Sequence, residues 1–544
     1  MSRHGGKVIV DQLAVHGADT IFCVPGESFL PLLDGFYESP LRLITCRHEA
    51  AAANMADAYG KLTGRPGIAV VTRGPGATQA SVGVHTAFQD STPLILLVGQ
   101  VASDQEEREA FQEVDYRRMF GPLAKWVAQI DRTDRIPEYV ARAFATACAG
   151  RPGPVVLALP EDMLAAETDA VDAQPFHVVQ PHPSSEQIAS LGRMLEDAQR
   201  PLVLLGGAGW TPQASADMRA FVEANVLPAG AAFRRQDSLD NDSTSYAGDV
   251  GIGINPKLAA RVREADLLLA VGPRLGEMTT SGYTLVDQQP LVHVHPGAEE
   301  LGRVYRPALP ILSGMEQFAA AVRDVRVEPR WSDWTAAARS DYETWQRHDP
   351  MPGTLDLGDC IAHLRERVPD AIVTNGAGNF TVWVHRFWRW HDYPTQLAPT
   401  SGAMGYGVPA AVAAKAVRPD RTVICFAGDG DFLMSGQELA TAVQYDLPIV
   451  VLVVNNGMYG TIRMHQERLF PGRVVGTDLV NPDFAAYARA FGAHGETLTR
   501  TSQFPDALER ALAAGRPALL ELQIDPEAIN PRTTLGKLRA ESAR

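Results

Sequence analysis

Two strand-like apolar runs in the last third of the chain each end in a residue that can offer oxygen to a cation. The run 423–427 leads into Gly428-Asp429-Gly430-Asp431, and the run 448–454 leads into Asn455-Asn456-Gly457-Met458-Tyr459-Gly460. If the runs are parallel strands of one βαβ unit, Asp429 and Asn456 emerge together at the carboxyl edge of the sheet, where doubly wound sheets bind ligands. A carboxylate beside an amide oxygen suits Mg²⁺ or Ca²⁺, hard cations that prefer oxygen. Gly428 and Gly430 let the backbone approach a diphosphate, and the helix expected after them would aim its first amides at that anion. A plain G-D-G turn is the alternative, common wherever strands end. The second strand and its paired asparagines weigh against it.

A second candidate lies far upstream. Cys46-Arg47-His48-Glu49 opens the alanine-rich stretch that runs on to Tyr59-Gly60. A carboxyl flanked by alanines on a helix can be buried tightly and serve in general acid–base chemistry. Read alone, Glu49 is an ordinary first-turn glutamate favoured by the helix dipole.

Positioning such groups needs a scaffold. Apolar runs of strand length alternate with helix-like segments, which points to an α/β fold with doubly wound parallel sheets. The runs 68–72, 94–98 and 155–159 place a first unit at 1–165. The runs 202–205, 267–271 and 291–295 place a second at 186–325. Those at 372–374, 423–427, 449–454 and 518–524 place a third at 355–525. Residues 165–185 read as a linker and 326–354 as a second break. The last twenty residues, polar and basic, read as a loose tail. The segment Gly206-Gly207-Ala208-Gly209-Trp210 imitates a dinucleotide fingerprint, but Pro212 stands where the third glycine belongs, so a tight strand-to-helix turn is the better reading.

At 544 residues the chain exceeds a single core. Its net charge of −15 argues against nucleic acid as a partner. No apolar run is long enough to span a bilayer. The first residues lack a signal-peptide profile, and five scattered cysteines form no CxxC pair, so a cytoplasmic protein is expected.

The Gly428–Gly460 region resembles the diphosphate and metal motif of thiamine-diphosphate enzymes, and Cys46–Gly60 is similar to their pyrimidine-binding segment. The resemblance covers nearly the whole chain and is nearest to acetolactate synthase large subunits. It implies pyrimidine-binding, central and diphosphate-binding domains, with thiamine diphosphate and Mg²⁺ as cofactors. Asp429 and Asn456 would hold the metal by their side chains and Met458 by its carbonyl. Gly430, Asp431, Tyr459 and Gly460 would lie against the cofactor, Asp431 taking a place usually held by Ser. Glu49 would face the aminopyrimidine and exchange a proton with it. Gly402-Ala403-Met404 resembles the segment beneath the rings, with Met404 as the wedge. Asn375-Gly376-Ala377-Gly378-Asn379 resembles a second diphosphate loop, with Gly378 and Asn379 in contact. Family sites form between subunits, so a homodimer or homotetramer is implied.

The resemblance also bears on the reaction. Thr72-Arg73-Gly74-Pro75-Gly76-Ala77-Thr78 is close to the T-x-G-P-G-A-T of acetolactate synthases. Ala110-Phe111-Gln112-Glu113 matches their A-F-Q-E, which implies Gln112 near the reacting carbon; a loop glutamine in solvent is the alternative. The paired histidines of pyruvate-type decarboxylases are missing here. A carboligase acting on 2-oxo acids with an aldehyde or ketone acceptor is therefore the leading expectation. A decarboxylase or C–C lyase on another 2-oxo acid is the second, and a catalytically silent regulatory protein the third. Three departures bear on the choice. Glu27 replaces a usual Gly, as an acid does in pyruvate decarboxylases, and would enter the site. Arg73 replaces a small residue. His465 stands in place of a substrate-selecting Trp. Arg73 and Arg463 are candidates to hold a substrate carboxylate. Arg274-Leu275-Gly276-Glu277-Met278 replaces the stretch associated with FAD, which leaves FAD open.

Overall fold

The computed structural model describes residues 2–542. Three six-stranded sheets, every strand pair parallel, carry the chain. Their central strands are almost wholly apolar because helices cover both faces and leave no solvated side to alternate with, whereas edge strands such as Arg42–Thr45 and His494–Leu498 are mixed.

The first sheet runs Arg42–Thr45, Thr20–Cys23, Gly67–Val71, Leu94–Gln100, Pro154–Pro160, Trp126–Gln129. Numbered along the chain, that order is 2-1-3-4-6-5. The third sheet repeats it with Gln396–Leu397, Ile372–Asn375, Val423–Gly428, Val450–Asn455, Ala518–Gln523 and His494–Leu498. The middle sheet differs: Tyr246–Asp249, Ala229–Ala231, Pro201–Leu205, Leu267–Val271, Leu291–His295, Leu309–Leu312, an order of 3-2-1-4-5-6. In each sheet the order reverses beside the first strand, and ligands of open α/β sheets bind at the carboxyl ends there.

By contact the chain forms two compact units. One holds residues 1–179, 399–419 and 435–447, and so the first sheet; the other holds the rest, with the second and third sheets. No sequence signal marks residues 399–419 and 435–447 as companions of the first sheet.

Three expectations change. Residues 326–354 are not a bare break, because Ser332–Trp345 forms a helix and buries Thr335, Ala338 and Tyr342. Trp331, just ahead of it, is 2% exposed in the same core as the middle sheet. The tail is ordered through residue 542: the helix Leu535–Ser542 packs Leu535 and Leu538 against Met458, Met464 and Ile529. The helix following Gly428 is a single turn, Asp429–Phe432, and a separate helix, Leu439–Gln444, follows after a break. The turn Gly206-Gly207 is filled by protein: Trp210 Nε1 donates to the Gly206 carbonyl at 2.7 Å and Arg235 Nε to that of Gly207 at 2.8 Å.

Candidate functional site

In the third sheet, the third and fourth strands, Val423–Gly428 and Val450–Asn455, end side by side, and their loops form one corner. Asp429, 3% exposed, begins the loop turn after Gly428. Its Oδ1 accepts from Gly430 N at 3.0 Å, and its Oδ2 accepts from Gly457 N at 2.9 Å. The parallel register that sets Gly428 against Val454 thus brings the Asp429 carboxylate to the loop of Asn456, as expected. Asn456 Oδ1 accepts from Met458 N at 3.2 Å. That loop is tied down by a segment further along, since Tyr459 N donates to Thr477 O and Leu479 N to Gly457 O.

Asn481, which the sequence reading passes over, completes the corner. Its Nδ2 donates to Asp429 Oδ2 at 2.7 Å and to Asn455 Oδ1 at 3.0 Å. The only signal in sequence is an Asn-Pro pair in an aperiodic stretch, which reads as a turn. Its Oδ1 is buried with no hydrogen-bond partner. Burial pushes the Asp429 carboxyl up, against the three hydrogen bonds that hold it down. A carboxylate stripped of water and an unsatisfied amide oxygen fit a hard divalent cation, which would keep the carboxyl ionised.

The rest of the corner is close-packed backbone. A Cβ on Gly430 would meet the Tyr459 ring at 2.5 Å, so any larger residue here would have to displace that ring. Asp431, buried, accepts from Ala377 N at 3.3 Å and so fixes the loop of Gly378. Asn379 accepts at Oδ1 from Thr461 Oγ1 at 3.0 Å, binding that loop to the helix Gly460–Leu469. On that helix His465 is exposed, whereas Arg463 is committed: its Nε and Nη2 reach buried Glu467 at 3.2 and 3.1 Å. Arg539 and Gly472 N hold the same carboxylate. Arg463 is therefore held in a shared ion pair rather than standing free toward a substrate carboxylate.

In the first unit, Glu49 opens the helix Glu49–Thr63, capped by His48, whose Nδ1 accepts from Ala50 N. It is half-buried rather than enclosed by its alanines, which face the helix Pro75–Asp90 instead. A Cβ on Gly76 would sit 3.3 Å from Glu49 Oε1, so the Thr72–Gly76 turn passes directly over the carboxyl. Cys23, at the end of the first strand, lies close enough that burial, with the Glu49 charge second, pushes its thiol up to about 12. Gln112 reaches the other side of the same turn, where a Cβ on Gly74 would be 2.7 Å from Gln112 Cβ. Glu27 is exposed, and its neighbour Ser28 Oγ meets Thr72 Oγ1 at 2.8 Å. Glu49, Gln112 and Glu27 thus gather at one sheet edge.

Residues 399–405, which carry Gly402 and Met404, are fixed to this unit by buried charge. Thr400 N donates to Asp90 at 2.8 Å, Tyr406 Oη donates to Asp57 at 2.7 Å, and Lys61 pairs with both acids. Met404 itself is 38% exposed.

Glu438 is the second residue that sequence reasoning missed. It is fully buried, and its two oxygens accept from Arg47 N at 3.0 and 3.3 Å, just ahead of Glu49. Thr441 Oγ1 donates to it at 2.6 Å, and Tyr445 Oη accepts from Thr45 N at 2.7 Å. Burial pushes the Glu438 carboxyl up to about 7. A folded value above the unfolded one means that the protonated form adds stability below about pH 4.5, and that this is lost as pH rises through about 7. Glu438→Gln is therefore expected to stabilise the protein at pH 8 by on the order of 1–3 kcal/mol relative to its effect at pH 4.5. Melting temperatures across pH 4.5 to 8 check this; an unchanged pH dependence would refute it.

The chain is similar to known proteins over nearly its whole length. Residues 376–522 match the model of the thiamine pyrophosphate enzyme C-terminal TPP binding domain, 3–119 that of the N-terminal TPP binding domain, and 188–322 that of the central domain. The acetolactate synthase isozyme 2 large subunit of Escherichia coli (strain K12) is 32% identical over 533 residues, covering 96% of each chain. The acetolactate synthase large subunit of Parasynechococcus marenigrum (strain WH8102) is 32% identical over 558 residues, 99% of this chain and 90% of that one. That of Lactococcus lactis subsp. lactis (strain IL1403) is 31% identical over 533 residues, 96% and 92%.

Proposed function

The chain belongs to the thiamine pyrophosphate enzyme family, and on that premise we propose that it is a carboligase that decarboxylates a 2-oxo acid and joins the remaining fragment to an aldehyde or ketone. The observation that carries the reading is Gln112, seated on the same turn that covers Glu49, where no histidine pair stands. Such an amide can donate to an oxygen of the reacting fragment while withholding the proton that would release it as an aldehyde.

When bound, thiamine diphosphate supplies the nucleophile and the electron sink. Asp429, Asn456 and the Met458 carbonyl would hold Mg²⁺, with Asn481 orienting the Asp429 carboxylate. Gly430, Asp431, Gly378, Asn379, Tyr459 and Gly460 line the diphosphate, and Gly402 and Met404 support the rings. Glu49 would exchange a proton with the aminopyrimidine nitrogen of the bound cofactor. Arg274, in the stretch that replaces the one associated with FAD, is paired with buried Glu300.

The working form is a homodimer or a pair of dimers. Ile462, Leu469, Phe470, Val475 and Val480 are large apolar side chains left exposed around the metal corner, which a second copy would cover. The five cysteines are all buried and free, which fits a reducing, cytoplasmic setting. Among the described residues no helix is long and apolar enough to cross a membrane.

The deciding assay offers pyruvate with thiamine diphosphate and Mg²⁺ and resolves acetolactate from acetaldehyde. Acetolactate is the expected product. Acetaldehyde alone would favour the second reading, a decarboxylase or lyase, to which exposed Glu27 already lends support. Neither product would direct the test to other 2-oxo acids, and failure with all of them would refute the carboligase.

A further inference from the structure

We propose that Arg73 is a positioning residue that latches the loop before Gln112 and so sets the amide of Gln112 over the turn that covers Glu49. This inference rests on the reading of Gln112 given above. Arg73 leaves the end of the strand Gly67–Val71 and is 8% exposed. Its Nε donates to the carbonyl of Phe111 at 3.0 Å, the residue immediately before Gln112. Its Nη1 pairs with Glu161, the first residue after the strand Pro154–Pro160. The guanidinium therefore reaches across the intervening strand, Leu94–Gln100, and joins two loops at the carboxyl edge. Its charge is matched by Glu161, so the expectation that it holds a substrate carboxylate fails.

The held loop needs a latch. Gln112 has φ +67°, a left-handed backbone that its Cβ disfavours, so the surrounding contacts must impose it. Glu107 and Glu109 just before it are left-handed as well. Gly74, at φ +59°, lies under Gln112 where no Cβ fits, and Gly74 N donates to Tyr116 Oη at 2.9 Å. On the loop's own side, Glu113 accepts from Glu107 N at 2.6 Å and from Ala110 N at 3.0 Å. These bonds shape the loop internally. The Arg73–Phe111 bond ties it to the strand edge just before Gln112, and Gln100 Nε2, donating to the Val114 carbonyl at 2.9 Å, ties it just after. A small residue at 73 would leave both Glu161 and the Phe111 carbonyl to water.

The test is hydrogen–deuterium exchange on the full protein with thiamine diphosphate and Mg²⁺, comparing wild type with Arg73→Ser and Arg73→Lys. Arg73→Ser is expected to speed exchange of the amides of residues 107–113 about ten-fold, with residues 94–100 unchanged. Lys keeps a cation for Glu161 but lacks the planar fork, and an intermediate effect is expected. Unchanged exchange at residues 107–113 in both variants would overturn the latch. The second readout is the ratio of joined to simply decarboxylated product from pyruvate, in a cycle with Gln112→Ala. Arg73→Ser should lower that ratio about ten- to a hundred-fold alone and add little once Gln112 is gone. Fully additive losses would overturn positioning through Gln112. Faster loop exchange together with a silent Gln112→Ala would keep the latch and refute instead the role given to Gln112.

Discussion

Glu49→Gln should leave thiamine diphosphate and Mg²⁺ binding within a few-fold of wild type and cut turnover by about 100- to 10,000-fold, the usual worth of one positioned proton-transfer group. Gln matches Glu in shape, accepts the same hydrogen bonds and cannot take up or release the proton. The carboxyl stands in the first turn of the helix Glu49–Thr63, and the Thr72–Gly76 turn passes directly over it. Its lead-in is fixed from behind by Glu438 and Tyr445, so the substitution has little to disturb structurally. Steady-state turnover, with cofactor affinity from fluorescence titration, checks the prediction. A variant that turns over like wild type would remove Glu49 from catalysis; one that loses cofactor instead would make it a binding group.

Asp429→Asn should abolish cofactor-linked stabilisation rather than folding. Asp429 Oδ2 accepts from both Gly457 N and Asn481 Nδ2, and Oδ1 from Gly430 N. An amide at this position turns an NH₂ toward at least one of those donors and offers a cation no charge. Metal affinity should fall by about 100-fold or more, since a hard cation held by few protein ligands depends on the charged one. Wild type should gain about 2.7 kcal/mol of stability with ligand at a hundred times its dissociation constant, whereas the variant at that same concentration should gain almost none. Thermal melts with and without thiamine diphosphate and Mg²⁺ measure this directly. Equal gains in both proteins would refute Asp429 as the metal's anchor.

Most of the architecture could be read from runs of residues. The strands Leu267–Val271 and Leu291–His295 lie where the apolar runs place them, because a strand covered on both faces must be apolar throughout. Thr20–Cys23 and Arg42–Thr45 escaped, being too short and too mixed to stand out from the helices around them. The helix Ser332–Trp345 hid among prolines and tryptophans. Its stability comes from packing against the middle sheet, not from its own pattern.

The sequence by itself determined the chemistry at strand ends: Asp429 beside Asn456, Glu49 at the head of an alanine-rich helix, glycines where backbone must come close. Those features are local, and a βαβ unit has only one way to bring its two strand ends together. The tertiary structure alone decided who supports them. Asn481 on Asp429, Glu438 behind Glu49 and Glu161 on Arg73 are separated by 52, 389 and 88 residues from the groups they hold or face. It also paired Arg73 with Glu161 and Arg463 with Glu467, two arginines that a linear reading left available for substrate. Such pairings obey no period and leave no trace in composition, because they depend on which loops the strand order brings to the same edge of a sheet.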